Sequence, residues 1–224
     1  MRKYMPFFAL TLILSWVLWS LLQNRASVPP GDRDTAAVSE LSTSTPAAEV
    51  LGEKRYSSPP EMLLDPEQTY SVRLVTNFGE IAIELFAQET PIAANNFAFL
   101  TKDEFYDGLT FHRVVENFMI QGGDPNGDGT GGPGYQLDDE PVTRDYTRGI
   151  VAYANSGPDT SGSQFFIMHA DYQLPPQYVI FGQVTEGMDV VDQIATVPVE
   201  ADQFGEVSKP VNPVVIEKAE LVKE

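Results

Sequence analysis

Two stretches of the chain, residues 111–124 and 152–167, constrain the fold more than any other part of the sequence. Each contains short β-like runs of branched and aromatic residues, and glycine-rich loops separate these runs. Among the apolar residues stand one arginine, Arg113, and carboxamide side chains such as Gln121 and Asn155. Because these polar side chains stand among apolar residues, the two stretches are the best candidates for a functional site.

The pattern around these stretches predicts a mainly β domain. Apolar and polar residues alternate on both sides of a turn at 77–79, so residues 70–85 are expected to form a β-hairpin. Thr90 and Pro91 supply an N-cap and a first-turn proline for a helix over 91–101. Apolar spacing predicts a second helix at about 186–195. Further strands are expected at 110–114, 117–121, 149–153, 164–168, 179–183 and 214–222, which together indicate an antiparallel barrel or sandwich.

Composition excludes several classes of function. The net charge of −18 argues against nucleic-acid binding, because phosphate binding needs clustered Lys and Arg side chains. The absence of cysteine excludes disulfides, thiol catalysis and Fe–S clusters. With His112 and His169 as the two histidines, a zinc site built from nitrogen and sulfur ligands alone is also excluded.

The N-terminal part of the chain has the features of a membrane tether. Residues 7–22 are almost entirely apolar, follow Arg2 and Lys3, and are not followed by a small-x-small cleavage pattern. We expect residues 1–25 to be a signal anchor that leaves the rest of the chain outside the cytoplasm; a cleaved signal peptide, giving a secreted protein, stays open. Residues 26–69, rich in Pro, Ser, Thr and Ala, are expected to be a flexible linker to a folded domain at 70–224.

Three blocks of the folded domain resemble the signature of the cyclophilin family of peptidyl-prolyl cis/trans isomerases. They are Phe-His-Arg at 111–113, Phe-Met-x-Gln-Gly-Gly-Asp at 118–124 and Gly-Ser-Gln-Phe-Phe at 162–166. The resemblance covers nearly all of residues 70–224. It implies a closed eight-stranded antiparallel β-barrel capped by two α-helices, with the site on an outer face. It also implies prolyl isomerase activity on proline-containing polypeptides without metal or cofactor, in a domain expected to be monomeric.

Isomerisation of an X–Pro bond requires an unusual kind of site. The barrier is about 18–20 kcal/mol because the amide loses conjugation as it twists. No bond is made or broken, so the enzyme must bind the twisted amide better than either planar form. A fixed donor aimed at the pyramidal prolyl nitrogen does this, and a permanently charged, planar arginine suits the role. The proline ring meanwhile needs an apolar slot.

The sequence supplies candidates for each of these roles. Arg113 is the expected donor, with Gln164 orienting it. The substrate main chain would be held by Gln121, Asn155 and the backbone around Ala154. The expected slot is lined by Phe118, Met119, Phe166 and Leu174.

The chain departs from the family in the loop at 172–182. Many members have Trp-Leu-x-Gly-x-His there, whereas this chain has Leu174 at the leucine place, Tyr178 at the histidine place and no tryptophan. The tyrosine ring can still form part of the slot wall, so Tyr178 is counted among the substrate-binding residues. Loss of the indole donor puts cyclosporin binding in doubt rather than catalysis.

Simpler interpretations remain for several residues. Arg113 could be a salt-bridging strand residue, and the same groove could bind proline segments with little turnover. His112 is expected to lie on the opposite face of its strand from Arg113 and to make a structural hydrogen bond. The run 124–129 matches half of a calcium loop but lacks the closing glutamate, so a glycine-rich surface loop is favoured.

Overall fold

The structure, a computed structural model, describes residues 54–223. The predicted anchor at 1–25 and most of the predicted linker lie outside the described residues. Within 54–223, no helix has the length and apolar character needed to span a membrane. The helices and strands are, in chain order, β1 (Tyr70–Thr76), β2 (Gly79–Leu85), α1 (Pro91–Lys102), β3 (Arg113–Val115), β4 (Met119–Gly122), β5 (Ile150–Tyr153), β6 (Phe165–Met168), β7 (Ile180–Glu186), α2 (Met188–Ala195), β8 (Val199–Ala201), β9 (Val207–Pro210) and β10 (Ile216–Lys223).

Eight of the strands form one curled antiparallel sheet, in the order β10-β1-β2-β7-β5-β6-β4-β3. The predicted hairpin is present as β1 and β2, with Thr76 paired to Gly79 next to the turn. The remaining predicted strands are confirmed with boundaries displaced by a few residues at most. The two-helix, mainly β architecture expected from the sequence is therefore correct.

The expected closure of the barrel is wrong. Strands β3 and β10 end the sheet on opposite sides, and no ladder joins them. The chain just before β3 instead meets the start of β10, through one isolated bridge between Thr110 and Val215 and a hydrogen bond from Phe111 N to Val214 O at 2.9 Å. Since this single bridge is not a ladder between β3 and β10, the sheet is an open half-barrel.

The first helix starts where predicted but is capped differently. Thr90 occupies the N-cap position, yet its hydroxyl donates to the carbonyl oxygen of Ile180 at 3.0 Å rather than accepting from the helix. The free N–H groups of Ile92 and Ala93 donate to the carboxylate of Glu140 at 3.0 and 2.8 Å. Glu140, which is distant in sequence, therefore caps the N-terminus of α1 in place of the Thr90 side chain.

The main hydrophobic core lies between the concave face of the sheet and the helices. Helix α1 lies against β10 and β7, and α2 lies against β2. Phe97 of α1 is fully buried at the centre, with ring centroids 5.1 Å from Phe165 and 4.8 Å from Phe181. These contacts fix the curvature of β4–β7 and so the shape of the opposite, convex face.

The folded part begins before residue 70. Leu64 is buried, and its backbone N–H donates to Asn95 Oδ1 at 3.0 Å. Tyr56 packs edge-on against Phe99, with 5.3 Å between ring centroids, and its backbone N–H donates to Pro133 O at 2.8 Å. Residues 54–69 therefore pack on the domain, and only residues before them remain for the predicted linker.

Candidate active site

Strand alternation sorts the residues of β4, β5 and β6 onto two faces. Ile120, Phe165 and Ile167 point into the main core, whereas Met119 and Phe166 belong to a second, smaller apolar cluster on the convex face. Gln121 follows Met119 on that same face and pairs across the sheet with Arg113 of β3. The convex face therefore brings the predicted donor, a predicted amide and the predicted slot residues together.

The second cluster has a buried floor and a half-buried rim. Met119 and Phe166 are buried in the floor, and Tyr178 stands edge-on to Phe166 with 5.6 Å between ring centroids. Tyr178 is held in turn by Tyr146, whose hydroxyl donates to Tyr178 O at 2.9 Å and accepts from Tyr178 N at 3.0 Å. The structure therefore gathers all the predicted apolar site residues into this cluster, including Phe118, Ala154 and Leu174 at the rim.

Arg113 lies at the edge of this cluster, with its side chain 31 % exposed. Its guanidinium carbon is 6.0 Å from the centroid of the Phe118 ring. The Nε and Nη2 atoms donate to the two carboxylate oxygens of Glu206, at 2.6 and 2.8 Å. These bonds hold the pKa of the Glu206 carboxyl below its usual range. Arg113 is thus a salt-bridging strand residue, as the simpler interpretation had it, and it also lies beside the predicted slot.

The amide side chains form a chain of contacts that differs from the expected one. The hydrogen bonds of the Gln164 side chain within the described residues go to Gln121 and to the glycine-rich loop, not to Arg113. Gln121 Nε2 donates to Gln164 Oε1 at 3.0 Å, and Gln121 Oε1 lies 3.5 Å from Arg113 Nη1. Gln164 Nε2 donates to the carbonyl oxygens of Gly129 and Gly131, at 3.0 and 2.9 Å. Gln164 therefore anchors Gln121 to the glycine-rich loop, and Gln121 is the amide that faces Arg113.

The two remaining predicted residues are engaged within the protein. Ala154 N donates to Gln164 O at 2.9 Å, and Asn155 Nδ2 donates to Gln177 O at 2.7 Å. The Asn155 bond holds the loop at the residue next to Tyr178. Both residues line a polar cavity of about 470 Å³ beside Gln121 and Gln164.

A second cavity of about 300 Å³ lies on the other side of Arg113. Its walls are the glycine-rich loop at 127–129 and the tip of the β8–β9 hairpin, at 202–206. His112 lines this cavity together with its neighbour Arg113. Strand alternation had predicted that the two side chains would lie on opposite faces. Both ring nitrogens of His112 are buried and make no hydrogen bond of normal geometry within the described residues, although the Thr110 backbone is close enough to counteract part of the effect of burial on the His112 pKa.

The loop after β4 is organised by one buried carboxylate. Asp124 accepts hydrogen bonds from the backbone N–H groups of Asn126, Asp128 and Gly129, at 2.8, 3.1 and 2.5 Å. Gly123 before it has φ +81°, and a Cβ there would meet Ser163 O at 2.3 Å, so only glycine fits. The run 124–129, which matches half of a calcium loop in sequence, forms a glycine-rich turn in the structure. The Asp124 carboxylate is bonded to backbone N–H groups of that turn.

A model of the family described as cyclophilin type peptidyl-prolyl cis-trans isomerase matches residues 71–221. The chain belongs to this family. A probable peptidyl-prolyl cis-trans isomerase B of Mycobacterium tuberculosis is 41 % identical over 169 residues, covering 68 % of this chain and 54 % of the relative. The chain thus matches about half the length of that relative. A peptidyl-prolyl cis-trans isomerase of Helicobacter pylori is 40 % identical and is covered over 91 % of its length, by 59 % of this chain.

Solved cyclophilin structures show the same fold. A cyclophilin type peptidyl-prolyl cis-trans isomerase from Cryptosporidium parvum, crystallised in the presence of the dipeptide ala-pro, superposes with a TM-score of 0.63 at 34 % identity. The match covers 69 % of this chain and 99 % of that one. The fold and the family thus agree with the resemblance seen in the three sequence blocks.

Sequence reasoning missed three residues of this cyclophilin site. Glu206 lies on the β8–β9 hairpin, which no sequence pattern predicted, more than ninety positions after its partner Arg113. Tyr172 packs on Phe118 with 4.6 Å between ring centroids, which extends the apolar rim. The Tyr146 hydroxyl donates to Tyr178 O and so holds the backbone of Tyr178 in place. Tyr172 stands in the variant loop and could have been suspected there; the other two give no local signal.

Proposed function

We propose that this cyclophilin domain accelerates the cis/trans isomerisation of X–Pro bonds in polypeptides. The observation that supports this most directly is the position of Arg113 beside the apolar cluster of Met119, Phe166 and Tyr178. A proline ring in that cluster would bring its nitrogen within reach of the guanidinium. Donation to the nitrogen is strongest when the amide is twisted, so the contact favours the transition state over both planar forms.

The groups around this pair complete the proposed mechanism. Gln121, held by Gln164, offers an amide to the peptide group next to the proline. The apolar cluster excludes water from the reacting amide and lowers the local dielectric, which strengthens the hydrogen bond from Arg113. No nucleophile, metal or cofactor takes part, because rotation about the amide needs none.

Proline-containing polypeptides are the proposed substrates, in keeping with the dipeptide present in the Cryptosporidium parvum crystal. Residues 1–25 favour a membrane-anchored protein whose isomerase domain lies outside the cytoplasm, so that exported proteins are the proposed clients. Cyclosporin is expected to bind weakly, because the loop with Tyr178 has no indole donor.

Replacing Arg113 by alanine tests the mechanism. We expect kcat/KM for a proline tetrapeptide to fall by about 10²–10³, the usual effect of losing one preorganised donor, roughly 3–4 kcal/mol. Arg113→Lys should also be slow, since a point charge cannot replace the planar fork. The matched control is Arg73→Ala, which removes an exposed arginine of β1 that lies 3.6 Å from Glu80. Wild-type turnover by Arg113→Ala would refute the proposed role of the arginine.

A second candidate function is a binding module that holds proline segments with little turnover. The loop at 172–178 favours this alternative, because it has Tyr178 at the family's histidine place and lacks the tryptophan. A protease-coupled peptide assay on the full-length chain separates the two functions. Binding of the peptide without faster isomerisation would favour the module and refute the enzyme.

A further inference from the structure

Glu206 is the closest charged neighbour of the proposed catalytic arginine. Both of its carboxylate oxygens accept hydrogen bonds from Arg113, one from Nε and one from Nη2. We propose that Glu206 is a positioning residue for isomerisation, which locks the guanidinium so that Nη1 is directed toward the substrate groove. This inference rests on the proposed isomerase function.

The other contacts of Arg113 are too weak to hold it. Nη1 lies 3.5 Å from Gln121 Oε1, at the limit of a useful hydrogen bond, and 3.7 Å from Met119 Sδ, which is a weak acceptor. An arginine side chain has about 2 kcal/mol of rotamer entropy to lose when it is fixed. The two short, charge-assisted bonds to Glu206 are the contacts with enough strength to offset that loss.

The hairpin that carries Glu206 is itself tightly organised. Asp202 Oδ1 accepts from the backbone N–H groups of Phe204 and Glu206, both at 2.8 Å. Asp202 N donates back to Glu206 O at 2.8 Å. Gln203 Nε2 donates to Asp128 O at 3.0 Å, which fastens the tip to the glycine-rich loop. Ser208 Oγ donates to Glu206 Oε2 at 3.2 Å. Asp202 therefore fixes the backbone of Glu206 and Ser208 fixes its carboxylate, independently of the bonds to Arg113.

The geometry assigns different tasks to the nitrogens of Arg113. Glu206 accepts the Nε proton and one of the two Nη2 protons. Nη1 faces Gln121 and Met119, which belong to the groove wall and to the floor of the apolar cluster. Of the three protons that Glu206 does not bind, the two on Nη1 face the groove, and we assign them as the donors to a prolyl nitrogen. Without Glu206 the guanidinium would sample several rotamers, and few of them would direct a proton into the groove.

The test uses Glu206→Ala and Glu206→Gln in the full-length chain. We expect Glu206→Ala to lower kcat about tenfold with little change in KM, because Glu206 orients the donor without touching the substrate. Glu206→Gln keeps one acceptor oxygen and should be intermediate. The matched control is Glu200→Gln, which removes the same charge from the same hairpin at a residue paired with Lys209 at 3.8 Å. That control should turn over like the wild type.

Two further measurements separate positioning from a structural role. In an Arg113→Ala background, Glu206→Ala should slow turnover less than twofold further, because its effect passes through the arginine. An equal slowing in both backgrounds, or a faster single mutant, would overturn the proposal.

The Nε–H resonance of Arg113 in NMR spectra reports the lock without any turnover assay. It should be sharp and slow to exchange in the wild type and broadened in Glu206→Ala. If the wild type proves inactive while this resonance changes as expected, the isomerase function fails but the lock stands. An unchanged resonance would refute the lock itself.

Discussion

The two faces of strands β4, β5 and β6 use the same kinds of residue for different ends. On the concave face, Phe165 is fully buried and its ring lies 5.1, 5.5 and 5.9 Å from the rings of Phe97, Tyr106 and Phe111. On the convex face its neighbour Phe166 meets the single ring of Tyr178, in a smaller cluster with a half-buried rim. Adjacent residues of one strand, Phe165 and Phe166, therefore belong to the core and to the candidate site respectively.

The difference shows how an open half-barrel combines rigidity with a binding surface. The concave face is covered by α1 and α2, so its side chains have many close neighbours and little freedom. Among the residues that the structure describes, the convex cluster is covered by loop residues such as Tyr146 and Tyr178 and by edge residues such as Phe118, and its half-buried rim leaves room for a ligand. The packed face fixes the backbone positions from which the site residues project.

The largest expected effect on stability comes from Phe165→Ala. Removing a fully buried ring should lower the free energy of unfolding by about 3–5 kcal/mol, through lost transfer energy and the cavity left behind. Turnover per folded molecule should stay close to the wild type, because the ring points away from the groove. Urea unfolding followed by fluorescence, together with the peptide assay at low temperature, gives both quantities. A stable but inactive variant would contradict the division between the two faces.

A smaller loss of stability and a clear loss of substrate binding are expected for Phe166→Ala. The cluster on the convex face is small and opens toward the groove, so the cost should be about 2 kcal/mol, below the usual range for a buried phenylalanine. KM should rise about tenfold, as apolar contact with the proline ring is lost. Phe166→Leu is the control that keeps most of the apolar volume. An unchanged KM in Phe166→Ala would mean that the proline ring binds elsewhere.

The smallest expected effect concerns pH and His112, which lies at the sheet edge between the two faces. Burial lowers the pKa of His112, and the nearby Arg113 charge adds to this, while the carboxylates of Asp124 and Asp128 oppose it. The unfolded chain therefore binds the proton more readily, and stability should fall as the pH drops below about 6.5.

His112→Gln removes this titration. The difference in unfolding free energy between about pH 7.5 and about pH 5.5 should be smaller in this variant than in the wild type. An NMR titration of the His112 ring should show a midpoint below the ordinary histidine value. A midpoint above it would mean that the carboxylates outweigh burial at this edge.

Much of this architecture could be predicted from the sequence because its signals are local. The alternation of 70–85 gave the β1–β2 hairpin, and Pro91 with the apolar spacing after it gave α1. Alternation also separates Phe165 from Phe166 and places Gln121 on the same face as Met119. The resemblance of the three sequence blocks to the cyclophilin signature pointed to Arg113, Gln121 and the predicted slot residues, whereas Tyr146 of the same cluster gives no local signal.

Three departures from expectation concern contacts between residues that are distant in the chain. The sheet was expected to close, but whether β3 and β10 form a ladder depends on how the ends of the sheet meet. Gln164 was expected to orient Arg113, whereas Gln121 lies between them. Thr90 was expected to cap α1, but Glu140 reaches its first N–H groups instead.

The sequence by itself determined the family, the periodicity of the strands and the residue types that a prolyl isomerase site needs. Tertiary structure alone decided which partner each polar group has, because a hydrogen bond depends on distances of a few tenths of an ångström between separate elements. The pairing of Arg113 with Glu206 is the clearest case. Arg113 begins β3 and Glu206 lies in the β8–β9 hairpin, and only folding brings Arg113 Nε within 2.6 Å of Glu206 Oε2.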